Sequence, residues 1–274
     1  MMNAINGRLK TEGWNVDYVC FGKGQKKLIL IPGGGDGVRT VKGMAFSMAW
    51  QFRQFSGDYR VYVISRRNDL PQGYTIMDMA DELALVMEKL EIGAADIVGV
   101  SQGGMIAQQL AVRHPEKVSK MVLAVTAPGA NQIMEEALGS WLEELAGKDY
   151  KGFVLDMLER YYTEKMIRRA RPMFSVFWKL LRPKDDGRLR IQLESCLNYH
   201  GEETISGIQC PCLIIGGEKD RVVGAEGSRQ LAELIPGSSL YMYPEYGHGL
   251  NDEAKDFNLR ILDFFREQRN LTKL

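Results

Sequence analysis

The chain lacks an excess of charge of either sign. Its 35 Lys and Arg are balanced by 35 Asp and Glu, so the formal net charge is zero. A protein that grips nucleic acid through its phosphates carries a basic surplus, and that class is set aside. Histidine is scarce, with three in 274 residues, so any imidazole chemistry falls to His114, His200 or His248. Cysteine is also sparse. Cys20, Cys196, Cys210 and Cys212 do not have the density or spacing of a disulfide framework, and the cytoplasm is the expected compartment. No apolar run approaches the roughly 18–20 residues that a membrane span needs. The opening MMNAINGRLKTEG has no apolar stretch of the signal-peptide kind, so none is expected. Internal repeats and low-complexity segments are absent too. What remains is 45% hydrophobic and 26% charged residues, the balance of a globular chain with enough apolar surface to offset its conformational entropy.

The apolar pattern alternates between strand and helix. Strands are predicted at Asn15–Cys20 and Leu28–Ile31, joined by the turn GKGQKK, then at Val61–Ser65, Asp96–Val100 and Lys120–Val125. Helices are predicted from Thr75 to Glu91 and over Gly103–Arg113. In the first, Thr75 and Asp78 have the spacing of a capping box, and Met79, Leu83, Val86 and Leu90 line one face. From Pro128 to about Ser206 the alternation gives way to helical spacing alone, which reads as an insertion. It resumes with strands at Cys212–Gly216 and Ser239–Tyr243 and helices at Gly227–Ile235 and Glu253–Gln268. Strands separated by helices predict a doubly wound, mostly parallel α/β sheet. Ligands of such sheets sit at the carboxyl ends of the strands, so chemistry is expected just after strands.

After Asp96–Val100 comes Gly99-Val100-Ser101-Gln102-Gly103 and then a helix. A G-x-S-x-G at a strand–turn–helix junction forces a sharp turn that lifts the serine hydroxyl above the sheet. A hydroxyl attacks only if a base takes its proton. His114 belongs to the far end of the helix behind Ser101, and His200 to the end of the insertion. His248, in Tyr246-Gly247-His248-Gly249, follows a strand and reaches the same sheet edge as the serine. An acid must hold the imidazole. Asp220 stands after Cys212–Gly216, with Glu218 as the competing carboxylate. The strand before the insertion runs into Thr126-Ala127-Pro128 and offers no acid. The order Ser, Asp, His differs from both common protease orders. An oxyanion needs donors. The N–H of Gln102 is one, and the glycine run Pro32-Gly33-Gly34-Gly35-Asp36-Gly37 supplies another. That run satisfies neither dinucleotide nor phosphate-loop spacing.

In these motifs and their order the chain resembles the α/β-hydrolase family, in particular its small single-chain members with a helical lid. The resemblance spans nearly the whole chain, from an opening hairpin to the histidine loop. It implies an α/β-hydrolase core over 1–127 and 207–274 and a lid over 128–206. It implies Ser101 as nucleophile, His248 as base, Asp220 as orienting acid, and Gly34 (or Gly35) and Gln102 as oxyanion donors. The substrate is then a small molecule bearing an ester, thioester or lactone, cleaved without metal or organic cofactor. Carbon–carbon bond hydrolysis, lyase chemistry and non-catalytic binding of a small ligand are alternatives on the same fold. Neither nucleic acid nor membrane is an expected partner, and a homo-oligomer is left open. The chain departs from the family in having Pro32-Gly33 where His-Gly is usual, and Ser65-Arg66-Arg67-Asn68-Asp69 where Arg-Gly-x-Gly is frequent.

Three other features have plainer readings. Cys210-Pro211-Cys212 has no second half to complete a zinc site. Asp36 is read as a turn cap. The aromatics of the insertion, among them Trp141, Phe153, Phe174, Phe177 and Trp178, are expected to pack it onto the body and to line the substrate cleft at its inner end.

Overall fold

The computed structural model describes residues 3–183 and 185–267. The elements, in chain order, begin with β1 (Ile5–Lys10), β2 (Asn15–Phe21), β3 (Lys26–Ile31), α1 (Ala45–Gln51), β4 (Tyr59–Arg67) and α2 (Ile76–Lys89). Then come β5 (Ala95–Val100), α3 (Gln102–Arg113) and β6 (Val118–Ala124). Four helices follow: α4 (Gln132–Ala146), α5 (Tyr150–Tyr161), α6 (Glu164–Leu181) and α7 (Gly187–Leu197). The chain closes with β7 (Cys212–Gly217), α8 (Gly224–Leu234), β8 (Ser239–Tyr243), a short α9 (Leu250–Glu253) and α10 (Phe257–Arg266).

One eight-stranded sheet has the order β1-β2-β4-β3-β5-β6-β7-β8. Strands β1 and β2 are antiparallel, β2 runs antiparallel to β4, and every later pair is parallel. The period-two side-chain alternation of strands divides two cores. Ile29, Ile97, Met121 and Leu123 face α2 and α3 and join Met79, Leu83, Met87, Ile106 and Leu110. Leu28, Leu30, Val98 and Val122 face the other way, towards Ala45 and Ala49 of α1 and Phe257, Ile261 and Phe265 of α10. With both faces covered, β5 and β7 are buried almost throughout, which is why they read as continuous apolar runs.

The predicted opening hairpin needs correction. β2 and β3 do not pair, because β4 lies between them. The hairpin is formed by β1 and β2, with Ile5 opposite Cys20 and Lys10 opposite Asn15. β1 is an edge strand with no buried residue, so it gives no apolar signal. α1 was also silent in the sequence. Its buried positions are the small Ala45 and Ala49, while Phe46 and Trp50 point outward at 77% and 60% exposure. The capping box of α2 is formed as predicted: Asp78 N–H donates to Thr75 Oγ1, and the Asp78 carboxylate accepts from Thr75 N–H. The predicted last helix is divided. α9 stops at Glu253 and α10 restarts after Asp256; Gln268, the predicted end, lies outside the described residues.

The insertion is helical, as predicted, and leaves the sheet at the carboxyl end of β6 to return at β7. Asn131, Asp149 and Thr163 each accept from a first-turn backbone N–H of α4, α5 and α6. Trp141, Leu145 and Phe153 are buried and continuous with the α2–α3 core. Phe174 and Trp178 are partly buried against it, whereas Phe177 is 53% exposed. Packing of the insertion onto the body, expected of Phe174, Phe177 and Trp178, therefore holds for Phe174 and Trp178 and fails for Phe177. Among the described residues, no helix is long and apolar enough to cross a membrane.

Candidate active site

The turn between β5 and α3 places Ser101 at φ 54°, ψ −123°, a region that non-glycine residues seldom occupy. Close packing holds it there. A side chain on Gly99 would fall on the carbonyl oxygen of Gly103, and one on Gly103 would fall on the carbonyl oxygen of Ile31. The two glycines of G-x-S-x-G are thus fixed by strand and helix meeting backbone to backbone.

The loops after β7 and β8 are tied together: Glu218 N–H donates to Tyr243 O (2.9 Å) and Lys219 N–H to Tyr246 O (3.0 Å). Gly249 N–H donates to Tyr161 O at 2.7 Å, which fastens the histidine loop to the end of α5. His248 and Asp220 are both buried, at 1% and 7% exposure. His248 Nδ1 lies 2.9 Å from Asp220 Oδ2, and Nε2 lies 3.0 Å from Ser101 Oγ. A carboxylate only accepts, so Nδ1 carries the proton towards Asp220 and Nε2 is left to accept from the serine hydroxyl. The other Asp220 oxygen accepts from the backbone N–H groups of Val222 (2.8 Å) and Val223 (3.0 Å). The structure thus brings Ser101, His248 and Asp220 into one hydrogen-bonded line.

The rival residues go elsewhere. Glu218 pairs with Arg229 at 2.6 and 2.7 Å. His114 caps the far end of α3 and bonds Asp81 at 2.7 Å. His200 is exposed and forms a backbone bridge with Gly129.

Gly34 and Gln102 stand at comparable positions in two separate turns. Each is the first residue of a helical turn, a 3₁₀ turn over Gly34–Gly37 and α3 respectively, and first-turn N–H groups have no intrahelical acceptor. A Cβ on Gly33 would lie 3.2 Å from Ser101 Cβ, so Gly34 is one residue from contact with the serine. Gly35 is a further residue along the same turn.

The side chain of Gln102 was not anticipated as a working group, and it is buried. Its Oε1 accepts from Arg66 Nη2 at 2.6 Å, and its Nε2 donates to Gln192 O (2.8 Å) and Ser195 Oγ (3.1 Å) on α7. Arg66 Nη2 also donates to Gly33 O at 3.2 Å. Asp36 is not a turn cap. It is 3% exposed and lies between Arg66 (3.8 Å) and Arg188, which also donates to its carbonyl. Burial pulls Arg66 below its ordinary value while Asp36 holds it up. Nearby Cys196 is pushed up to about 12 by burial, against the opposing pull of Arg66, and stays a thiol. Ionic and polar bonds therefore join the glycine loop, the residue after Ser101 and helix α7.

Tyr161 is a second residue the sequence did not flag. Its ring packs edge-on against His248, with centroids 4.6 Å apart and planes at 79°. Burial pushes its phenol up. Nothing in the spacing marks it, since it ends a helix remote in sequence from all the motifs. Among the described residues, no cluster of three or more His, Cys, Asp or Glu is placed to hold a metal ion.

A serine with an imidazole and a carboxylate behind it, at the carboxyl edge of a mostly parallel sheet, defines the class as a hydrolase of α/β architecture. Residues 27–255 match the alpha/beta hydrolase fold family, and the chain belongs to it. It is 26% identical over 270 residues to the serine hydrolase BPHL of Mus musculus, covering 95% of this chain and 86% of that one. It is 30% identical over 161 residues to the pimeloyl-[acyl-carrier protein] methyl ester esterase of Chromobacterium violaceum, covering 56% of this chain and 63% of that one. The fold also resembles that of the enol-lactonase from Burkholderia xenovorans LB400, with a TM-score of 0.82 at 20% identity, covering 95% of this chain and all of that one.

Proposed function

We propose that this hydrolase cleaves a small ester, thioester or lactone through an acyl-enzyme on Ser101. The observation that carries the reading is the line Ser101 Oγ–His248 Nε2–Asp220 Oδ2, with steps of 3.0 and 2.9 Å. Ser101 Oγ attacks the substrate carbonyl carbon as its proton passes to His248 Nε2. Asp220 stabilises the imidazolium and fixes its tautomer. The negative oxygen of the tetrahedral intermediate accepts from the N–H groups of Gln102 and Gly34. Collapse breaks the bond to the leaving group, which takes the proton from His248. Water, deprotonated by the same nitrogen, then attacks the acyl-enzyme, and the acid departs as Ser101 regains its proton.

In this reading residues 1–127 and 207–274 form the core, and residues 128–206 act as a lid in which Tyr161, at the end of α5, braces the base. The names of two relatives, a serine hydrolase and a methyl ester esterase, support ester cleavage among the chemistries of the fold. The test is a rapid-mix assay with p-nitrophenyl acetate. Wild type should release p-nitrophenol in a burst stoichiometric with enzyme, as expected where deacylation is the slower half. Ser101→Ala should lose on the order of 10⁴–10⁶ in kcat with an unchanged circular dichroism spectrum. Full activity in Ser101→Ala overturns the reading.

A further inference from the structure

On the sheet face away from α2 and α3, a cavity of about 250 Å³ lies between α1 and α10. Its floor is Leu30, Val63 and Val98, from the adjacent strands β3, β4 and β5, and its walls include Phe55, Phe257 and Ile261. None of these six is more than 6% exposed. Protein interiors are normally close-packed. A gap of this size has room for about eight water-sized groups at roughly 30 Å³ each. Apart from Gln51, Asn251, Asp252 and Asn258, the lining is apolar and gives water few partners, while a hydrocarbon chain along that apolar part would regain the contacts that the gap forgoes.

The lining of this cavity extends to the loops of the proposed site. Gly33 belongs to the glycine loop, Val100 directly precedes Ser101, and Asn251 stands three residues after His248. Gly33 is the threshold. A side chain there would come within 3.2 Å of Ser101 Cβ and 3.8 Å of its Oγ, so the residue that lines the cavity also borders the serine.

We infer that the cavity is an acyl-chain subsite, which takes an unbranched apolar chain of about six to eight carbons whose carbonyl is held at Ser101. The inference rests on the reading of Ser101 as nucleophile. The leaving group must lie at His248, which hands it a proton. The substituent on the other side of the carbonyl is then the one that meets Gly33 and Val100. Substrate selection by chain length accordingly takes place behind the glycine loop, on the opposite side of the sheet from the buried aromatics of the insertion. Each methylene removed from water is worth roughly fourfold in binding, so even partial use of the cavity gives a large preference.

The test is kcat/KM for p-nitrophenyl acetate, butyrate, hexanoate and octanoate, with wild type, Ile261→Trp and Met48→Trp. Ile261 is buried and Met48, on α1, is only partly buried, so the second variant serves if the first does not fold. Wild type should prefer octanoate to acetate by on the order of 100-fold. The filled variants should keep acetate hydrolysis within about twofold and lose most of that preference. An octanoate-to-acetate ratio that is the same in a folded filled variant as in wild type, or a wild type that does not prefer the longer chains, overturns the subsite and leaves the reading of Ser101 intact. A wild type that hydrolyses none of the esters overturns that reading and the subsite with it.

Discussion

The guanidinium of Arg66 donates to the side-chain oxygen of Gln102 over 2.6 Å, and both side chains are buried. Gln102 is the residue after the candidate nucleophile. Its backbone serves the oxyanion in the proposed mechanism, while its side chain anchors β4, the glycine loop and α7 to one another. The two roles can be separated, because a side-chain substitution leaves the N–H in place.

Gln102→Leu should therefore destabilise the protein by about 1–3 kcal/mol, the cost of buried polar groups left without partners. Urea unfolding measures it. Turnover should fall as well, since Arg66, Gln192 and Ser195 would no longer hold the elbow against α7. Unchanged stability would mean that the buried network is not rigid.

Tyr161 gives a cleaner test of how His248 is positioned. Its ring, not its hydroxyl, meets His248. Tyr161→Phe should keep kcat within about twofold, while Tyr161→Ala should lower it by about tenfold, the scale of an edge-on aromatic contact of 0.5–1.5 kcal/mol. Equal losses in both variants would shift the role to the hydroxyl.

Glu144, on α4, supplies a pH test of stability. Burial, followed by the nearby Asp156 and Asp149, raises its carboxyl from the ordinary 4.5 to about 7, and its Oε2 is buried without a hydrogen-bond partner. Below about pH 4.5 the group is protonated in both folded and unfolded chains. Between 4.5 and about 7 the folded protein holds a proton that the unfolded chain has released, so stability falls as pH rises through this window. Glu144→Gln should have a higher Tm than wild type at pH 8, and the gap should close by pH 4.5. A gap independent of pH would assign the effect to packing instead.

The parts of this molecule that were legible in the sequence are those governed by local rules. β3, β5, β6 and β7 are covered on both faces and so appear as apolar runs. The elbow declares itself because backbone contact permits only glycine at 99 and 103. Asp220 and His248 were found from their places after strands, and the fold brings them together as topology requires. The rest depends on tertiary contacts that leave no periodic trace. β1 buries no residue, α1 buries only alanines, and the insertion of β4 between β2 and β3 is a matter of sheet order. Arg66 and Asp36 looked like loop residues because burial of a charge pair is invisible until the chain folds. Tyr161 reaches His248 from a helix 87 positions away in sequence.

The central claim is that Ser101 is the single activated nucleophile. The most direct measurement is labelling with a serine-directed fluorophosphonate, read by intact mass and peptide mapping. Wild type should gain one adduct, on Ser101, and Ser101→Ala should gain none. His248→Ala should label far more slowly, since nothing would remove the hydroxyl proton. An adduct on a different serine, or labelling of Ser101→Ala at the wild-type rate, would contradict the account.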